Sequence, residues 1–190
     1  MTEPPGRRAR KKAATRQKIA DTALRLFLER GYDEVGIRDV ATAADVAVTT
    51  LFAHFASKEA LVFEQDETFE QRLTRAVTDR PPTQPLIPAL RDAIEAQVRY
   101  CGATEGGAII WNLIDETPSL RRYEETMRVR HTESLAAAIA ADLELAEPNT
   151  ACRTIARFVV DAHSLARGSA DPEAAVAEIF RMIEAAWAAA

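Results

Sequence analysis

The amino-acid sequence predicts an all-α protein of about nine helices. Apolar residues recur at three- and four-residue spacing through most of the 190 positions. Pro and Gly fall between these stretches, often beside an Asp, Asn, Thr or Ser able to cap a helix. Alternating β-branched runs are absent and Ala is abundant. No apolar run is long enough to span a membrane. The start, MTEPPGRRARKK, lacks the apolar core of a secretory leader, so a cytoplasmic protein is expected.

The elements follow in order. Residues 1–11 hold Pro-Pro-Gly and then Arg7, Arg8, Arg10 and Lys11, and read as a disordered basic arm. It is either a solvated tail or an arm that follows phosphates or enters a minor groove. The first helix, about Lys12 to Arg30, has the stripe Ile19, Ala23, Leu26 and Phe27 and stops at Gly31. The second carries Ile37, Val40 and Ala41 on one face and ends at a turn, Ala44-Asp45, where Asp tolerates left-handed backbone. The third, Val48 to Phe55, buries Leu51 and Phe55 and leaves Val48, Thr49, Phe52 and Ala53 on its other side. Ser57 caps a fourth helix that runs to about Asp79, with Leu61, Phe69, Leu73 and Val77 inward.

Arg80-Pro81-Pro82 breaks the chain. A fifth helix, about Pro85 to Cys101, carries Ile87, Leu90, Ile94 and Val98, and a loop follows over Gly102 to Gly107. The sixth, about Ala108 to Asp115, is short and almost wholly apolar. Thr117-Pro118 starts the seventh, which runs to about Leu145. The eighth starts near Pro148-Asn149 and ends near Gly168, and Asp171-Pro172-Glu173 starts the ninth, through about Trp187. This divides the chain into the arm (1–11), a helix-turn-helix head (12–58) and a helical body (59–190).

Charge supports that division. Net charge is −5, which alone argues against a nucleic-acid partner. Residues 1–58, however, hold 11 Lys and Arg against 7 Asp and Glu, a net +4, while the rest holds 13 against 22, a net −9. A basic head on an acidic body orients the molecule on a polyanion. A short helix with a compact exposed face, held across a tight turn by the helix before it, is the geometry that enters a DNA major groove.

The stretch TRQKIADTALRLFLERGYDEVGIRDVATAADVAVTTLFAHFASKEAL resembles the N-terminal DNA-binding domain of the tetracycline-repressor (TetR) family of bacterial transcription regulators. ALRLFLERGY, IRDVA, TLFAHF and SKEAL occur in order and at the family's spacing, from about Thr15 to Leu61. The resemblance implies phosphate contacts from Thr50, His54 and Lys58. Arg38 is placed for the DNA backbone as well, and Val48 and Thr49 for base edges, where their methyl groups suit thymine. Three positions depart from the pattern: Asp45 stands where Gly is usual, Ala47 where a Ser or Thr cap is usual, and Phe52 where a phosphate-contacting Tyr is usual. An Ala in place of the cap costs about 1 kcal/mol.

The body offers two further sites. Ile155, Val159, Ala162 and Ala166 line the eighth helix; Val176, Ile179 and Ile183 line the ninth. These stripes either pack within one chain or meet a second copy across a two-fold axis as a four-helix bundle; the family resemblance implies the homodimer. Phe69, Leu73, Ile94, Trp111 and Met127, with Asn112 and His131 as polar groups, are what a small-molecule pocket needs, ordinary core being the competing reading. The segment from Trp111 through ETPSLRRYEETMRVRHTESLAAAIAADL is similar to an actinobacterial TetR subgroup that includes the mycofactocin regulator. Some of that group respond to acyl-CoA thioesters, whose anionic head would suit Arg72, Arg121 or Arg128.

The expected protein is thus a repressor released from a pseudo-palindromic duplex DNA operator by a small apolar or amphipathic effector. A DNA-binding adaptor without an effector is the alternative. An enzyme is not expected. Gly106-Gly107 lacks the strand and pattern of a nucleotide loop, no nucleophile motif stands out, and no metal spacing or cofactor signature is present. Cys101 and Cys152 fall in separate segments and read as reduced thiols.

Overall fold

A computed structural model describes residues 6–63, 66–103 and 107–188. Among them are nine α-helices, one 3-10 turn and no strand: α1 Arg7–Arg30, α2 Ile37–Ala43, α3 Val48–Phe52, the 3-10 turn Glu59–Leu61, α4 Asp66–Thr78, α5 Leu86–Ala103, α6 Gly107–Glu116, α7 Pro118–Asp142, α8 Thr150–Arg167 and α9 Pro172–Ala188. The chain forms two compact units. One is Met1–Glu64 with Ile110–Arg121; the other is Gln65–Ile109 with Arg122–Ala190.

The first unit has its own core: Ile19, Ala23, Leu26 and Phe27 of α1, Val40 and Ala41 of α2, Leu51, Phe55, Leu61, and also Ile114 and Leu120. Most of α6 and the first residues of α7 therefore belong with the head, not with a body beginning at residue 59. The basic segment 7–11 is the first part of α1 and not a disordered arm. Arg, Lys and Ala are strong helix formers and nothing after Gly6 breaks the run; residues 1–5 lie outside the described residues.

The expected fourth helix is not one rod. Ser57 does cap, its Oγ accepting from Ala60 N–H at 3.3 Å, but only the turn Glu59–Leu61 follows. Leu61 packs in the first core and Leu73 and Val77 in the second, so the two ends serve different cores. Residues 64 and 65 lie outside the described residues, as do 104–106 of the expected loop.

The second unit is built around Leu73, Leu90, Ile94, Leu135, Ile139, Val159 and Phe180. The caps foreseen for α8 and α9 form: Asn149 Oδ1 accepts from Cys152 N–H at 2.9 Å and Asp171 Oδ1 from Ala174 N–H at 3.0 Å. Helix α7 supplies Leu120 to the first core and Leu135 and Ile139 to the second.

The expected dimer stripe needs correction. Ile155, Val159, Ala162, Ala166, Val176 and Ile183 are buried within their own chain, and Ile179 packs partly buried against the same core. A side chain with no surface in the single chain has none to offer a partner. Helical periodicity reports that a face is buried, not by what. The large apolar side chains that α8 and α9 leave exposed are Phe158, Leu165 and Met182, at 47, 64 and 60%.

Candidate nucleic-acid interface

The head is assembled by short-range backbone chemistry. Gly31, at φ 92°, ends α1 with its N–H on Phe27 O at 2.9 Å. Asp39 accepts from Gly36 N–H at 2.8 Å and closes the start of α2. Ala44 N–H reaches Val40 O at 2.9 Å, and Asp45 then takes φ 53°, the left-handed geometry its side chain tolerates. Val46 N–H closes the turn on Ala41 O at 3.0 Å. Ala47 gives α3 an extended entry with no side-chain cap. Helix α3 ends at Phe52 rather than Phe55, because the N–H groups of His54 and Phe55 both turn onto Leu51 O.

With Leu51 and Phe55 buried, Arg38, Thr49 and Phe52 are exposed and Val48, Thr50, His54 and Lys58 are partly buried. Of the residues expected to meet DNA, Arg38 lies on α2, Val48, Thr49, Thr50 and Phe52 on α3, and His54 and Lys58 in the segment after it. Phe52 presents 51% of its surface, an exposed apolar ring.

Two cations tie this face to α1. The Arg16 guanidinium donates to His54 O and lies 4.3 Å from the Phe55 ring centroid. The Lys58 ammonium donates to Tyr32 O at 2.5 Å and sits 4.0 Å from the Tyr32 ring. Lys58, expected to point at phosphate, therefore holds the end of the head to the turn after α1. Burial lowers its pKa, against Asp33 and Glu59, which raise it. His54 is held below its usual pKa by burial and then by Lys12 and Arg16. A neutral imidazole can still donate one N–H to a phosphate. Arg16 was missed from the sequence, although a signal existed: it continues the buried stripe Ala20, Ala23 and Phe27 by one turn.

The structure does not bring the expected effector residues together in one unit. Trp111 packs partly buried against the first core and Asn112 is exposed. Phe69, Leu73, Ile94, Met127 and His131 belong to the second unit. There Leu73 and Ile94 are core, Met127 and His131 are buried, and the His131 ring meets Phe69 edge-on at 5.5 Å between centroids. Among the described residues no group of His, Cys, Asp and Glu could hold a metal ion, and no helix is long and apolar enough to cross a membrane.

A helix-turn-helix with its reading face outward, carried on a basic α1, defines a DNA-binding transcription regulator. Residues 19–64 match the bacterial regulatory proteins of the tetR family. The chain is 35% identical to the HTH-type transcriptional regulator TcmR of Streptomyces glaucescens, over 74% of this chain and 67% of that protein. It is 28% identical to a protein of Mycobacterium tuberculosis named for mycofactocin biosynthesis regulation, MftR, over 63% of this chain and 53% of that one. The chain belongs to the TetR family. Solved structures share the fold: the repressor AlkX from a Dietzia strain (TM-score 0.59, 21% identity, 90% of this chain and 97% of that) and SmeT of Stenotrophomonas maltophilia in complex with triclosan (TM-score 0.60, 20% identity, 91% of each).

Proposed function

We propose that the protein is a homodimeric repressor whose grip on a pseudo-palindromic operator is loosened by a small apolar or amphipathic effector. The observation that carries this reading is the outward face Val48, Thr49 and Phe52 on α3, set in register by α2. One such helix covers only a few base pairs. Specificity therefore calls for two heads about one helical turn apart or slightly more, on half-sites that mirror a protein two-fold. Phe158, Leu165 and Met182 are the side chains that would meet across that two-fold. Burying these side chains against a second copy would take their apolar surface out of water.

The effector reading rests on the interior of the second unit, where the buried Met127 and His131 and the Phe69 ring set apolar groups beside polar ones. A relative of the same fold has been solved with triclosan, and acyl-CoA thioesters are one class of effector to test. Helix α7 is the proposed coupling element, since Met127 and His131 lie on the helix that also supplies Leu120 to the head's core. Coupling of about 1–3 kcal/mol would weaken DNA binding roughly 5- to 150-fold.

The test is selection of a duplex from a random pool with the full-length protein, followed by anisotropy and light scattering. The selected site should show two-fold symmetry, and Leu165→Arg with Met182→Arg should yield a folded monomer that binds it far more weakly. An asymmetric site, or a dimer indifferent to both changes, would refute the arrangement. A compound screen for operator release separately tests the effector.

A further inference from the structure

The second unit contains one cation whose surroundings differ from those of its peers. Its partly buried arginines are Arg72, Arg80, Arg91, Arg128, Arg157 and Arg167. Five of them reach a carboxylate: Arg80 meets Asp142 at 2.5 Å, Arg91 meets Glu95 at 3.7 Å, Arg128 meets Asp161 at 2.9 Å, Arg157 meets the same Asp161 at 2.8 Å and Arg167 meets Glu124 at 2.6 Å. Arg72 reaches none among the described residues. Its guanidinium donates to Gln97 Oε1 and lies 5.9 Å from the Tyr100 ring centroid. An amide oxygen and a ring can orient a cation but do not neutralise it, and withdrawing an uncompensated charge from water is costly.

The groups around Arg72 extend the pattern. Gln97 is buried and its Nε2 donates to Cys101 Sγ at 3.4 Å. Cys101 Sγ lies 3.9 Å from His163 Nε2. The Phe69 ring lies beside both imidazoles, 5.3 Å from His163 and 5.5 Å from His131. The carboxylates nearby are already engaged: Glu70 with Arg130 at 2.9 Å and Ser134 at 2.7 Å, Glu124 with Arg167. Burial first, and then Arg167 and His131, bring the His163 pKa down to about 4, so the imidazole adds no positive charge to this interior. We propose that it receives a small organic acid with an apolar body, the carboxylate pairing with Arg72 and the body lying against Phe69. This rests on the effector reading above. The Arg72 guanidinium, which meets no carboxylate among the described residues and has the fork geometry that matches one, fits a monoanion better than the several charges of a coenzyme thioester.

The experiment is calorimetric titration of the full-length protein with octanoate, octan-1-ol and octanoyl-CoA. Octanoate should bind about tenfold or more tightly than the alcohol, the value of a charge-assisted pair. Arg72→Gln should erase that preference, Arg72→Lys should keep part of it, and Arg75→Gln, an exposed neighbour on the same helix, should change nothing. DNA affinity without ligand should stay the same in all three. Equal binding of acid and alcohol, a preference that survives Arg72→Gln, or tighter binding of the thioester independent of Arg72 would each overturn the acid receptor and leave an effector site standing. Binding by none of the probes would also overturn it, while release of the operator by other compounds would still decide the effector reading. If Arg72→Gln fails to fold, the acid-to-alcohol ratio of the unmodified protein and Arg72→Lys decide.

Discussion

The two units bury polar groups to different extents. In the first, cations stay at the rim: Arg16 lies over Phe55 and Lys58 over Tyr32, each also bound to a main-chain carbonyl, and the interior beneath is apolar. The first buries Thr117 as well; in the second, Gln97, His131, Thr132 and His163 are buried. An apolar interior with pinned edges suits an element that must present one fixed face. A polar interior is costlier to build and gives the directional contacts by which a ligand is told from its analogues. One chain thus carries a helix-turn-helix over a largely apolar core and a second interior richer in polar side chains.

The largest expected effect comes from removing a ring that anchors the rim. Phe55→Ala should cost about 3–5 kcal/mol and abolish DNA binding, while much of the helical signal of the second unit survives in a later thermal transition. A single transition for all helices, followed by circular dichroism, would show that the two interiors do not melt separately.

Next comes pH, which should act through the second unit. The folded pKa of His163 is about 4, below the usual value of 6.5. The unfolded chain therefore binds the extra proton in that window. Stability should be full above about pH 6.5 and fall as pH drops toward 4, by up to about 3 kcal/mol. Urea unfolding at pH 7 and pH 4.5 reads this directly. His163→Gln should flatten the dependence; an unchanged slope would place it on other groups.

Lys58→Ala sharpens the contrast at the head. Loss of its carbonyl and ring contacts should cost roughly 1 kcal/mol of stability without DNA. Separately, affinity should fall alike for all sequences, with the salt slope smaller by about one. Substitution of Thr49 should instead change which sequence is preferred. If Lys58→Ala lowers stability but leaves the salt slope intact, its role is internal only. Smallest of all, Ala47→Ser should supply the missing cap of α3 and raise stability by up to about 1 kcal/mol, read as a shift of the head's transition.

The head was largely legible because its determinants are local. Gly31, the left-handed Asp45 and the pair Leu51 and Phe55 each act on backbone within a few residues of themselves, and each forms as expected. What sequence could not convey was which core an apolar stripe joins. Leu61 and Leu73 share one helical period yet belong to different interiors. Trp111 fits a pocket by composition but packs with the head, and Val159 fits a seam but faces its own chain. Arg72, one Arg among many in the sequence, stands out only once the carboxylates of its neighbours are assigned.

The head's interior is discontinuous in the chain, closing with Ile114 and Leu120 some fifty residues after Leu61. During synthesis the N-terminal helices emerge first but lack two of their buried side chains until residue 120 clears the ribosome. Contacts so distant in sequence also slow folding. A nascent chain stalled or cleaved before that point carries the whole helix-turn-helix sequence on an unsealed core. Expression of residues 1–64 alone, the obvious minimal fragment, would reproduce that unfinished state rather than the reader.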